Sequence, residues 1–301
     1  MDAAIEAKAR GGDSAGVPMS AATSGCDREI WYKFRWAAPL EAPQGARERR
    51  FRTGLQYERW LLDDLRGTGA LVQEIDEGTG RQIAIQLADG HLRGKVDGIA
   101  TGVIEAPKAE HVVECKSMKA ADFRAVLKHG LAKAKPDHWM QCQLYMHGLG
   151  LARALYLCAN KDTDEIHVER VAYDAAAAMA TEARVGRIVE TNTPPARAAD
   201  DPESFTCKFC LAKDVCHRGA WPRQNCRTCL HSSPGPAGSW SCEKHRKVLG
   251  YTAMQSGCSD HRFIPWLVPG EQIDVLDGDL IVYRLTGGEQ WIDGMRGEAN
   301  G

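Results

Sequence analysis

The sequence predicts an α/β (α+β) chain: a central mixed β-sheet flanked by helices, with a small cysteine-rich metal-binding module toward the C-terminal end. Three observations predict it. Short segments with β-branched residues (IAIQLA, LRGKVDGIA, HVVECKS, ALYLCAN, EIHVERV) alternate with stretches whose apolar residues recur at helical spacing. Strands interleaved with helices in one chain give helices packed on a sheet. Cys207, Cys210, Cys216, Cys226, Cys229, Cys242 and Cys258 crowd into the last third, where cysteine spacing replaces periodicity.

Taken in order, residues 1–24 are rich in Ala, Gly and Ser without sustained periodicity and read as a disordered tail. CDREIWYKFRWA from Cys26 reads as a short aromatic helix, ended by the Pro and Gly of PLEAPQG. A second helix starts near Arg50, with Phe51, Leu55, Leu62 and Leu65 on one stripe and Glu58 on that same stripe, so its carboxylate is expected to face inward. The segments IAIQLA, LRGKVDGIA and HVVECKS follow as consecutive strands of the sheet, separated by turn-forming residues. Helices are expected over 119–132 and 137–149, strands at ALYLCAN and EIHVERV, and a helix over 174–191. TNTPPARAADDPES is a Pro-rich connector, and IDVLDGDLIVYRLTGGEQWIDG reads as a small β-meander. The expected division is a core over 25–220, a zinc-type module over 221–268 and a β extension over 269–301.

A chain of 301 residues with 44% hydrophobic residues can bury one full core and carry an appended module. The net charge of −2 announces no nucleic-acid partner, so any such surface must be local. No apolar run approaches the roughly 20 residues needed to cross a bilayer, and MDAAIEAKARGGDSAG lacks a signal pattern, so a cytoplasmic protein without a membrane partner is expected. Eleven cysteines in that setting point to metal ligation rather than a disulfide framework. Cys115, Cys142 and Cys158, alone in apolar segments, read as inert packing.

Alternate side chains of a strand share a face, so in HVVECKS Glu114 and Lys116 point one way and Val113 and Cys115 the other. A carboxylate and an ammonium on one face, with Asp97 at the end of another strand and Glu58 nearby, can hold a divalent cation and activate water beside it. An isolated E-x-K is commonly a charge pair, and an Asp-Gly commonly a turn. Here the helix HWMQCQLYMHGL adds Gln141 and Tyr145, four apart and therefore on one face. Arg47, Arg49, Arg50 and Arg52 precede Glu58, and Lys119, Arg124, Lys128, Lys133 and Lys135 follow Lys116, two basic clusters able to neutralise phosphates without reading bases.

The order G-x-x-x-E (Gly54 to Glu58), G-K-V-D-G (Asp97), E-C-K (Glu114 to Lys116) and Q-x-x-x-Y (Gln141 to Tyr145) resembles the RecB-like branch of the PD-(D/E)XK nuclease superfamily over roughly residues 26–216. The resemblance implies a restriction-endonuclease-like core. It also implies that Asp97 and Glu114 ligate Mg2+ or Mn2+, that Lys116 positions or activates the attacking water, and that Gln141 and Tyr145 contact substrate. Val96 stands where the family name has Pro, and Glu58 where many RecB-like members have His; Glu remains a hard oxygen ligand suited to Mg2+. The implied activity is that of a DNA exonuclease or end-resecting enzyme acting on ends or single strands. No G-x-x-x-x-G-K-[ST] motor motif is present, so a helicase, recombinase or single-strand annealing protein would open duplexes in trans. The reading from another class is a non-catalytic nucleic-acid or protein-binding module with structural metal sites, and a divalent-cation requirement separates the two.

Cys207, Cys210 and Cys216 form C-x2-C-x5-C, three thiolates able to share one metal centre. Their pairing with an early Cys26 resembles the iron–sulfur nucleases related to AddB and the CRISPR-associated adaptation nucleases, which implies a [4Fe-4S] cluster stapling the two ends of the core. A zinc site completed by His217 is the competing assignment. NCRTCLHSSPGPAGSWSCEKH gives C-x2-C-x12-C-x2-H, a Zn2+-type spacing with Cys226, Cys229 and Cys242 as ligands. Its fourth ligand is Cys258 or His245, with His261 a weaker candidate.

Overall fold

The computed structural model describes residues 13–42 and 44–295. Its first elements are strand β1 (Val17–Pro18), helix α1 (Asp27–Phe34) and the long helix α2 (Gly45–Gly67). Strands β2 (Leu71–Gln73), β3 (Ala84–Leu87), β4 (Leu92–Lys95), β5 (Gly98–Thr101) and β6 (His111–Met118) follow. Then come helices α3 (Ala120–His129) and α4 (Pro136–Leu149), strands β7 (Arg153–Asn160) and β8 (Ile166–Ala172), and helix α5 (Ala175–Glu190). The main sheet is mixed, in the order β8-β7-β6-β5-β2. Only the β6/β7 pair is parallel, and the chain spends α3 and α4 on that crossover, as a parallel pair requires.

β6 is central and covered on both sides, which is why its first five residues are all buried. Val113 and Cys115 meet Leu61, Leu62 and Leu65 of α2, together with Leu155 and Leu157 of β7. Val112 and Met118 meet the other layer, built from α1, α3, α4 and α5. The alternation expected of HVVECKS is therefore present, with Glu114 and Lys116 on the side of α3 and α4.

Four expectations need correction. The segment LRGKVDGIA is two strands in two sheets: β4 pairs with β1 and β3, whereas β5 joins the main sheet, and the chain changes sheet at Val96 and Asp97. The disordered tail expected over 1–24 fails from residue 13 onward, because Val17 pairs in parallel with Leu92 and Met19 is buried beside α4; residues 1–12 lie outside the described residues. Phe51 and Leu55 do not belong to the buried stripe of α2, being 56% and 54% exposed, because α2 meets the sheet only through its C-terminal half. The stripe that holds is Glu58, Leu61, Leu62, Leu65. Finally, the helix expected over 119–132 ends at His129, since Gly130 adopts φ 74° and restarts the chain as the short turn Leu131–Ala134.

Beyond the connector, strands β9 (Ser232–Pro234), β10 (Trp240–Cys242) and β11 (Lys247–Val248) form a three-stranded sheet. The strands β12 (Gly270–Leu276), β13 (Leu280–Leu285) and β14 (Gln290–Asp293) form the expected meander; residues 296–301 lie outside the described ones. The cysteine-rich part divides between two apolar clusters: Trp240, Cys242, Leu249 and Met254 belong to the same one as α1, α4 and β4, whereas Phe263 and Val268 pack with Ile281 and Tyr283 of β13.

Candidate active site

Asp97 stands at the change of sheet, beside β6. Its Oδ2 accepts a hydrogen bond from the Cys115 backbone N–H at 2.7 Å, which aims the carboxylate across β6. Glu114 is 1% exposed; one carboxylate oxygen accepts from Lys116 Nζ, while Oε2 is buried and has no hydrogen-bond partner. An unpaired buried acceptor costs on the order of 1–3 kcal/mol, which a donor, a proton on the carboxyl or a cation would relieve.

The electrostatics link four side chains. Burial pushes the Glu114 carboxyl up to about 7, Lys116 opposes that rise, and Asp97 and Glu58 add to it. Glu58 is raised to about 6 by burial and the Asp97 charge, against Lys116. Burial also raises Asp97, against the Cys115 hydrogen bond and the Lys116 charge. For Lys116 burial favours the neutral amine, but the charge and hydrogen bond of Glu114 outweigh it and hold the ammonium above its ordinary range. Asp97 thus raises Glu58, and both raise Glu114, beside a single ammonium. Their oxygens do not all lie within 4.8 Å of one another, so the three carboxylates form a region of surplus negative charge rather than a closed cation cage.

Helix α4 closes the site. Gln141 and Tyr145 are both buried, and Gln141 Nε2 donates to Tyr145 Oη at 2.8 Å. The Tyr145 hydroxyl is raised by burial and by Glu114, which places it among the four charged groups. α4 can lie this close because Gly94 has no side chain: a Cβ there would sit 2.5 Å from the Tyr145 ring.

Three residues that sequence reasoning missed stand here as well. Tyr156 is aligned with Glu114 in the parallel β6/β7 register, and its hydroxyl is 2.7 Å from His138 Nδ1. Burial and the Lys116 charge bring His138 down to about 4, so its ring is neutral. Glu74, just after β2, raises both Glu58 and Asp97 while ion-pairing with Arg66. The spacing of His138 ahead of Gln141 on α4 was a usable signal; for Tyr156 and Glu74 there was none.

Among the expected basic residues, Arg52, Lys119 and Lys128 are exposed and Arg49 is half-buried. Lys119 directly follows β6 as the N-cap of α3, and Lys128 lies in the last turn of α3. Arg47 and Lys135 are engaged with Glu41 and Asp122.

The cysteines gather at two cavities. Cys26, Cys207, Cys210 and Cys216 line one, together with His217, Arg28 and Arg197, but no three of these cysteines and His217 bring their ligand atoms within 4.8 Å of one another. Arg28 Nη1 lies 3.9 Å from Cys216 Sγ. Cys226, Cys229, Cys242, His245 and Cys258 line the second, with Asp260 and His261. Here both candidates for the fourth position are present: His245 Nε2 is 3.6 Å from Cys258 Sγ and 3.2 Å from Asp260 Oδ2. His261 is buried against Phe263 and Thr228. Cys115, Cys142 and Cys158 are buried in the apolar layers.

No family model matches the chain, and no curated protein matches it. Among solved structures it is similar to LHK-Exo in complex with dAMP, at 18% identity and a TM-score of 0.43, covering 58% of this chain and 86% of that one. It is also similar to an alkaline exonuclease (LHK-Exo) from Laribacter hongkongensis, at 16% identity and a TM-score of 0.41, covering 58% and 87%. A third likeness is to SSO0001, at 16% identity and a TM-score of 0.38, covering 70% and 90%. No helix among the described residues is long and apolar enough to cross a membrane.

Proposed function

We propose that the chain is a metal-dependent DNA nuclease, an exonuclease or end-resecting enzyme that hydrolyses phosphodiesters. The observation that carries this reading is Glu114 Oε2, a buried acceptor with no partner, beside Asp97, Glu58 and Lys116. Asp97, Glu114 and Glu58 would hold Mg2+ or Mn2+, which when bound polarises the scissile phosphate and lowers the pKa of water. Lys116 Nζ, anchored by Glu114, holds a positive charge where the attacking water would sit. Gln141 and Tyr145 present an amide and a hydroxyl to the strand, and the packing of α4 against β4 excludes bulk water from them. Arg49, Arg52, Lys119 and Lys128 would neutralise phosphates along the bound strand without reading sequence.

The same reading extends to the cysteines. Cys26, Cys207, Cys210 and Cys216 would hold a [4Fe-4S] cluster, and Cys226, Cys229 and Cys242 a Zn2+ with Cys258 or His245. Four cysteines lining one cavity among arginines suit an iron–sulfur cluster, and three cysteines with a choice of Cys or His suit zinc. Residues 25–220 would form the catalytic core and 221–268 the zinc-type part, with a helicase, recombinase or single-strand annealing protein supplying open strands in a cytoplasmic setting.

The test is incubation of purified protein with end-labelled linear and circular DNA, with and without Mg2+ or Mn2+. Release of label from the linear substrate only when the cation is present is expected. Absence of cation-dependent cleavage on both substrates, with both cations, overturns the reading.

A further inference from the structure

Besides the direct chain link over residues 217–225, helix α1 runs between the two cysteine cavities. Cys26, the N-cap of α1, lines the first cavity, and the opposite end of α1 runs into Phe34, Arg35 and Trp36, which lie against the second cysteine-bearing part. The contact is made by Arg227, the residue between Cys226 and Cys229, which is only 1% exposed. Its guanidinium lies 3.9 Å from the centre of the Trp36 ring, 4.7 Å from Trp240 and 5.3 Å from Phe34. It donates to the Phe34 carbonyl at 3.0 Å and to the Ala15 carbonyl at 2.7 Å. Beside it, Asn225 Nδ2 donates to the Trp36 carbonyl at 3.1 Å, and the Arg223 N–H donates to the Ala37 carbonyl at 3.1 Å.

Arg35 completes the joint from the other side. It is 0% exposed, lies 5.2 Å from the Trp240 ring, and donates to Thr191 O at 3.1 Å and Asn192 Oδ1 at 2.7 Å just past α5. Two buried guanidiniums are stable only while carbonyls and ring faces replace their lost water, so neither can shift without exposing an unmet charge. Packing alone would be met more cheaply by Leu or Met at these positions. What the arginines add is direction: they lock the backbone of the Cys226–Cys229 turn to the backbone at the end of α1.

We propose that α1 is a strut coupling the two metal sites, so that metal at the Cys226/Cys229/Cys242 cavity fixes Arg227, Arg227 fixes the end of α1, and α1 holds Cys26 in the first cavity. This rests on the reading of both cavities as metal sites. Because coupling between sites is reciprocal, loss of metal from either lowers occupancy of the other.

The test uses the full chain, purified anaerobically, as wild type, Cys229→Ser and Arg227→Lys, with iron and zinc content by elemental analysis and hydrogen exchange read over residues 27–34. Lys keeps the charge but cannot lie flat on Trp36 and donate in two directions. Cys229→Ser is expected to lose zinc and at least about half its iron, since ligand order and metal affinity are linked. Arg227→Lys is expected to lose iron although every cysteine is retained. In both, α1 exchanges faster while β6 and β7 stay protected. Iron content and α1 protection at wild-type levels in both variants overturn the coupling, as does a loss of protection spread equally over the main sheet. If the wild type carries neither metal, the metal reading fails. The strut is then decided by exchange alone: Arg227→Lys either exposes α1, as expected, or leaves it protected and overturns it.

Discussion

At the carboxylate centre the charged groups come mostly from regular elements: Glu114 and Lys116 from the middle of β6 and Glu58 from α2, with Asp97 in the bend that leads into β5. Strand pairing sets Glu114 and Lys116, and a backbone hydrogen bond from Cys115 sets Asp97. At the cysteine cavities, apart from Cys242 on β10, the donors come mostly from helix ends, short helical turns and loops, some far apart in the chain, such as Cys26 and Cys207. Under the proposed metal-binding roles, the difference would separate two uses of a metal. Where the sheet supplies the geometry, losing the metal should cost chemistry and leave the fold; where loops supply it, losing the metal should cost the fold.

The largest expected effect tests the first half of this contrast. Glu114→Ala, Lys116→Ala and Asp97→Asn should each reduce cleavage by at least about 10²–10³-fold, the scale of losing one preorganised charged group. Glu114 and Lys116 lie on a strand whose pairing is entirely backbone, so circular dichroism and melting of the purified variants should resemble wild type. Wild-type rates in Glu114→Ala or Lys116→Ala break the assignment, and unfolding of all three variants breaks the contrast.

The second half is tested at the thiols. Cys26→Ala and Cys207→Ala should be pale, iron-poor and strongly destabilised, because binding free energy at such a site is folding free energy. Cys158→Ala, a buried thiol on β7, should keep its colour. Retention of full iron by Cys26→Ala would sharpen the picture differently, making His217 the fourth ligand.

How much of this was legible differs between the regions for a physical reason. Alternation in HVVECKS and helical spacing in HWMQCQLYMHGL are local, so β6 and the Gln141/Tyr145 face could be read directly. Tyr156 reaches the site only through the parallel register of β6 and β7, which no local pattern encodes. The change of sheet at Asp97 was hidden because strand propensity runs on through Val96. Residues 13–24 carry no periodicity, yet Val17 and Met19 are held by distant partners. Arg35 and Arg227 look like surface residues in sequence, and their burial is set by tryptophans far away.

Protonation gives a smaller, graded test. Glu114 at about 7 and Glu58 at about 6 lie above the ordinary carboxylate value, so the metal-free native state holds more protons than the unfolded chain between about pH 4.5 and 7. Stability of the metal-free protein from these groups is therefore fully present at the acid end and falls as pH rises through that window. A cation needs the deprotonated forms, so its affinity changes in the opposite sense. Calorimetric titration with Mn2+ should show affinity rising from about pH 6 to about pH 8 and levelling beyond, and Glu114→Gln should flatten that rise. An affinity independent of pH would detach these carboxylates from the cation.

The smallest effect separates the centre from the surface that would feed it. Arg52 and Lys128 are exposed, and neither is placed among the groups that shift Glu114. A phosphate contact made there would act through counterion release, which strengthens binding uniformly across sequences and steepens its dependence on salt. Lys128→Ala and Arg52→Ala should each weaken binding of a fluorescent single strand by a few fold at about 0.1 M salt, and lower the slope of log affinity against log salt by roughly 0.7, the value for one contact on a single strand. Glu114→Gln, measured beside them, should leave the slope unchanged because it adds no phosphate contact. Equal slopes in Lys128→Ala, Arg52→Ala and wild type would remove these two residues from the path of the strand. Cleavage by Glu58, Asp97, Glu114 and Lys116 would then have to be fed from another face of the sheet.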